Sequence, residues 1–286
     1  MGQFREAMDE AMVLRGLSPR TREIYLGCMG RLIRFSRVRP DHLTANEVRA
    51  YLLDLTRERN AAFSTFNLAL HSVRFFFTEV LKQPLVVGEF HFQRQPRRLP
   101  FVMSDEEVRR LFEAAHSLRD RALFETAYAT GMRVSEVTRL RVSDIDSTRM
   151  VIRVEQGKGG KDRYVMLAAS LLETLRGYWR QARPKPPYLF PGEGGQKPLS
   201  HTSAQKAFAR ARRAAGITKP VSFHTLRHSF ATHLLEDGVN VRSIQSLLGH
   251  RSLQTTQRYT HVAADSLHLV RSPLDRLNGK ETPAST

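Results

Sequence analysis

Between Pro19 and Arg37, apolar side chains return every three or four positions, at Ile24, Cys28, Leu32 and Phe35. Arg20, Arg22, Arg31, Arg34 and Arg37 fill the remaining sides. That period predicts an amphipathic helix with the apolar stripe buried, opened by Ser18 as cap and Pro19 in its first turn. Thr44 with Glu47 forms a capping box ahead of Val48, Tyr51, Leu52 and Leu55. Ser64 opens a further helix carrying Phe66, Leu70, Val73 and Phe77. These aromatics keep the buried period, so they read as core and not as a base-stacking surface. Residues 1–92 thus read as a domain of four or five helices.

The stretch FQRQPRRLPFVMSDEE breaks the pattern. Pro96 and Pro100 stiffen it, and Arg94, Arg97 and Arg98 make it basic, so residues 93–103 read as an extended linker able to follow a DNA backbone. Ser104 with Glu107 is a second capping box, and it opens a domain over 104–262. There MVIRVE and DRYVML flank the turn GKGG, a β-hairpin pattern. Helices are expected over 168–182, 203–214, His224–Glu236, Val241–Leu248 and Leu253–Tyr259. The fold class is mainly α with a small β-sheet. In the tail, 263–286, Leu267, Val270, Leu274 and Leu277 keep a rough helical register across Ser272-Pro273. So short an apolar segment must dock, on a neighbouring protomer or in cis.

Charge narrows the partner. Forty-five Lys and Arg against 28 Asp and Glu give the 286 residues a net charge of +17 and a pI near 10.8. An excess of that size predicts an anionic polymer, nucleic acid being the usual one. The single cysteine, Cys28, forms no internal disulfide, which fits a reducing compartment. The start lacks a signal-peptide pattern, Glu6 replaces the Ser or Thr of a myristoylation site, and no apolar run is long enough to span a membrane. A cytoplasmic, nucleoid-associated protein without membrane contact is expected.

The chemistry is concentrated late in the chain, in SFHTLRHSFATHLLEDGVNVRSIQSLLGHRSLQTTQRYTHV. His224 and Arg227 lie three apart on one helix face, His250 follows a Leu-Leu-Gly stop, and Tyr259 comes nine residues later. TGMRVSEV adds Arg133, and GKGGKDRYV adds Lys158 with Lys161 as a rival. A tyrosine among cations and imidazoles is equipped to attack a phosphodiester. Two arginines can clamp the phosphate oxygens where charge develops. A lysine at a hairpin tip can protonate the leaving oxygen, and histidines can orient the phosphate or take the phenolic proton. His224, His228 and His233 have no cysteine or carboxylate partner at metal-ligand spacing, so no metal and no other cofactor is expected.

TGMRVSEV, GKGGKDR, HTLRHSFATHLL, LLGH and TTQRYTHV together resemble, in order and spacing, the boxes of the tyrosine recombinase (phage integrase) family. The resemblance spans nearly the whole chain. It implies a helical core-binding domain and a catalytic domain closing as a clamp on DNA. It assigns Arg133 and Arg227 to the scissile phosphate, and it selects Lys158 as acid to the 5′ oxygen. His224 becomes the acid/base histidine, His250 the phosphate-bonding one, Tyr259 the nucleophile and Glu136 a site-supporting carboxylate. Arg139, Arg141, Lys206, Arg210 and Arg213 suit phosphate contacts or equally solvated helix faces. Partners implied are double-stranded recombination sites, further copies of the chain as a tetramer in synapsis, and an accessory directionality factor. SPRTREIYLGCMGRLIRF and PRRLPFVMSDEEV resemble integron-type integrases, but Arg163 to His224 is too short for their base-recognising insert. The expectation is a mobile-element integrase acting on ordinary duplex sites. Xer-type dimer resolution is the alternative, and an inactive DNA-binding accessory protein or a type IB topoisomerase are the rivals of another class.

Overall fold

Short-range capping sets the first helix boundaries. The Thr44 hydroxyl accepts from the Asn46 amide, and the Glu47 carboxylate accepts from the Thr44 amide at 2.8 Å. Ser104 and Glu107 repeat the arrangement. Each box satisfies amides that a helix start leaves unpaired. The computed structural model describes residues 2–94, 100–155 and 162–249. Its chain separates into two units, residues 1–97 and 98–286.

In the first unit, α1 (Gly2–Leu14), α2 (Pro19–Ser36), α3 (Ala45–Arg57) and α4 (Phe63–Phe75) enclose one core, and α4 runs on into a π turn over Phe76–Val80. Phe66, Leu70, Val73 and Phe77 are all buried in that core, with Met8, Met12, Leu32, Val48 and Tyr51. Burying each large side chain contributes roughly 1.5–3 kcal/mol. Two local expectations shift. α4 starts at Phe63 with Ala62 as cap, so Ser64 lies inside the helix. Phe35 is exposed and leans on the Tyr51 ring at 5.5 Å, while Met29 takes a buried place on α2. Gln93 is tied back to α4 through both its amide and its carbonyl, at 2.8 and 2.9 Å from the Asn67 side chain.

The second unit is built on α6 (Leu118–Thr130), packed by α5 (Asp105–Glu113), α8 (Ala169–Ala182), α9 (His201–Ala214) and α10 (Phe223–Glu236). Ala122, Leu123, Phe124, Thr126, Ala127 and Thr130 of α6 are buried, and of its residues only Leu118 and Arg121 are exposed. Its buried threonines return their hydroxyls to the carbonyls four residues back, at 2.7 and 2.6 Å, which removes the cost of unpaired hydroxyls. Short α7 (Val134–Arg139) follows α6, and α11 (Val241–Leu248) follows α10. β1 (Ile145–Asp146), β2 (Val151–Val154) and β3 (Arg163–Met166) form an antiparallel sheet in that order, with Ile145 opposite Ile152 and Ile152 opposite Val165. Ile152, Val154 and Val165 face the core, and Arg153, Tyr164 and Met166 face solvent. The expected hairpin is β2–β3, and two-residue β1 is an addition.

Gly131 closes α6 in the left-handed region, at φ 61°. A Cβ there would stand 2.5 Å from the Phe230 ring and 2.7 Å from Leu248, so only glycine lets α10 and α11 approach. Among the described residues, no helix is long and apolar enough to cross a membrane. The expected GKGG turn, the helix over 253–259 and the tail lie outside the described residues.

Candidate active site

The turn after Gly131 brings Arg133 to the start of α7, where it is the N-cap residue and Glu136 occupies the third helical position. That position aims a carboxylate at unpaired amides, so Glu136 Oε2 accepts from the Arg133 amide at 2.8 Å. Glu136 Oε1 accepts from Arg133 Nη1 at 2.8 Å. Arg163, from the first position of β3, then closes on the same carboxylate with a two-toothed pair, Nη1 to Oε1 at 3.0 Å and Nη2 to Oε2 at 2.8 Å. Both Glu136 oxygens therefore accept twice. Arg133 keeps its Nε and Nη2 without a hydrogen-bond partner among the described residues, and its side chain is 22% exposed.

Burial by itself would push the Glu136 carboxyl up. The bonds from Arg163 and the Arg133 amide, with the charges of both guanidiniums, hold it instead at about 2, from an ordinary 4.5. A folded value below the unfolded one gives stability that is full above about pH 4.5 and is lost as pH falls toward 2. We expect Glu136→Gln to lose about 3 kcal/mol at pH 7, the linkage worth of such a shift. Urea unfolding at pH 7, 5 and 4 checks this. The gap between the two proteins should narrow below about pH 4.5, and a constant gap would show that the carboxylate charge does not carry the effect.

Arg227 enters from α10 and is buried, at 1% exposure. Its Nη1 donates to the Gly131 carbonyl at 2.6 Å and its Nη2 to the Leu248 carbonyl at 2.7 Å. It thus joins the ends of α6 and α11, where carbonyls lack helical partners and the helix dipole favours a cation. His224, one turn earlier on α10, is open to solvent. Partial loss of hydration, then the charges of Arg227 and Arg133, push its imidazole below the ordinary value, and Glu136 acts the other way. Its ring stands edge-on to His228, centroids 4.7 Å apart. His233 is a packing residue, bonded to Tyr128 Oη at 2.7 Å.

The fold therefore gathers Arg133, Glu136, Arg227 and His224 around the end of α6. Lys158, His250 and Tyr259 lie outside the described residues, as do Arg97 and Arg98. Arg94 is exposed at the end of the first unit. Arg139, Arg141, Lys206, Arg210 and Arg213 are all exposed, and Arg210 lies 3.7 Å from the buried Asp120 carboxylate. Sequence reasoning missed Arg163. The available signal was a carboxylate beside Arg133 with room for a second cation, and a strand-borne arginine just after the GKGG turn.

Comparison with known proteins shows the family. The model of the phage integrase family matches residues 102–266, and that of a phage integrase N-terminal SAM-like domain matches residues 4–86. An integrase/recombinase of Escherichia coli is 39% identical over 305 aligned positions, covering 91% of this chain and 89% of its own. Tyrosine recombinase XerD of Corynebacterium glutamicum is 39% identical, covering 80% of this chain and 81% of its own. A lambda integrase tetramer bound to a Holliday junction has the same fold, with a TM-score of 0.74 at 22% identity over 90% of this chain and 76% of that one.

Proposed function

Because the chain belongs to the phage integrase family, we propose that it is a site-specific tyrosine recombinase that cuts and rejoins duplex DNA for a mobile element. The observation that carries the reading is the meeting of Arg133, Arg227 and His224, drawn from boxes about ninety residues apart to one helix end. In this scheme Tyr259 attacks the scissile phosphorus. The bond from its oxygen to phosphorus forms as the bond to the 5′ oxygen breaks. Lys158 gives a proton to that 5′ oxygen, and His224 takes the phenolic proton, a role suited to an imidazole held neutral at neutral pH. Arg133 and Arg227 offset the charge gathering on the phosphate oxygens, with His250 beside them. The 3′-phosphotyrosyl link keeps the bond energy, so a 5′ hydroxyl from another strand reverses the step.

Rejoining between two duplexes needs several protomers. The lambda integrase tetramer on a Holliday junction supports a tetramer in synapsis. In this proposal residues 1–92 and 104–262 hold the duplex, 93–103 follow its backbone and the tail docks on a neighbour. Arg94, Arg97, Arg98, Arg139, Arg141, Lys206, Arg210 and Arg213 are the proposed phosphate contacts. The XerD likeness favours a second reading, resolution of chromosome or plasmid dimers.

Incubation with a library of nicked duplexes of randomised sequence tests the activity. We expect an SDS-resistant adduct, with a nucleotide-bearing peptide that maps to Tyr259. No adduct, or attachment elsewhere, would overturn the scheme. The recovered DNA also separates the two readings: direct repeats of the selected site in one plasmid should integrate or excise under the first and yield only monomers under the second.

A further inference from the structure

We propose that Arg163 is a positioning residue of the cleavage step, a strut that fixes Arg133 and the end of α11, which His250 and Tyr259 follow in sequence. The inference rests on the recombinase reading, and its geometry is independent of it. Three nitrogens of one guanidinium are committed. Two hold Glu136, and Nε donates to the Leu247 carbonyl at 3.1 Å. The next carbonyl, Leu248, is held by Arg227. Two arginines from different elements thus cap consecutive carbonyls at the end of α11, an eight-residue helix with little stability of its own.

Gly249 then turns the chain in the left-handed region, at φ 62°, and a Cβ there would stand 3.2 Å from Arg163 Cδ. The residue that follows in sequence is His250, and Tyr259 is nine further on. On its other side, Arg163 begins β3, five positions after Lys158 in sequence. The side chain thus ties the first arginine to the start of β3 and the end of α11. At 12% exposure and with its fork pointed into the protein, it works through these groups and not on DNA. Only a planar fork holds a carboxylate with two teeth and a carbonyl with a third nitrogen, so lysine keeps the charge and loses the strut.

The test is single-turnover formation of the covalent adduct by Arg163→Lys, on a nicked duplex selected from the randomised library. Binding by mobility shift and the melting temperature are measured on the same preparations. A misplacement of about 1 Å in a reacting group costs on the order of 100-fold in rate, and that is the loss expected for the folded fraction. DNA affinity should stay within about threefold, because other phosphate contacts remain. An unchanged rate overturns the proposal. So does a lower adduct yield at unchanged rate, which would mark a residue that only keeps the fold together. Amide exchange of the protein alone gives the second readout. The Arg133 amide, bonded to Glu136, and the Gly249 amide, bonded at the end of α11, should exchange faster while α6 stays protected. Absence of any wild-type adduct would sink the recombinase reading, and the exchange would then decide the strut by itself. Unmoved Arg133 and Gly249 amides would remove it.

Discussion

Replacing Arg227 with alanine should destabilise the protein by about 3–5 kcal/mol, the scale for breaking a buried charged network, and should abolish cleavage as well. The guanidinium lies inside the second unit between the carbonyls of Gly131 and Leu248. Truncation leaves both without that donor, at about 1–3 kcal/mol each, and opens a cavity where a long side chain was packed. Relief of the buried charge offsets part of this, which keeps the net cost below the sum. Equilibrium urea unfolding at pH 7 measures it. A loss below about 1 kcal/mol would show that the helix ends hold without Arg227. Read from sequence, Arg227 is a phosphate clamp whose removal abolishes cleavage and leaves site binding within roughly tenfold. Its burial adds a second duty, so binding must be compared well below the variant's melting temperature.

The largest effect on activity should come from Tyr259→Phe. The substitution removes one oxygen and keeps the ring, so neither packing nor net charge at neutral pH changes appreciably. Without a nucleophile, the clamp and the acid have nothing to act on. Adduct formation should fall by on order 10⁴–10⁶-fold, the scale for losing a covalent nucleophile. DNA affinity should remain within a few-fold, since the phosphate contacts are untouched. Adducts formed by Tyr259→Phe at more than about a hundredth of the wild-type rate would place the nucleophile elsewhere.

The two capping boxes were legible because each closes over three residues, so a short window contains both partners. The stripe Phe66, Leu70, Val73 and Phe77 was legible because one side of its helix faces the core and the other water. α6 offered little such contrast. It is buried on most faces and carries Thr126 and Thr130 among apolar residues, so burial left little period. α10 is equally buried, yet the helix expected over His224–Glu236 is present at Phe223–Glu236. β1, at two residues, is too short to register a pattern of its own and exists through its pairing with β2. Phe35 kept the helical spacing and still emerged at the surface, because the core takes Met29 and Leu32 and its boundary falls one turn before the helix ends.

Sequence by itself determined the family, the reaction class and the anionic character of the partner. The boxes around Arg133, Lys158, His224, Arg227, His250 and Tyr259 state residue identity and order, and charge is a sum over the chain. Only the tertiary structure decided that Arg227 is buried between two helix ends, and that Glu136 is shared by Arg133 and Arg163. Glu136 and Arg163 lie 27 positions apart, and Arg227 lies 96 from Gly131. Spacing along a chain predicts contacts within a turn or a hairpin. Contacts at such separations depend on how whole helices pack, which is a property of the assembled core.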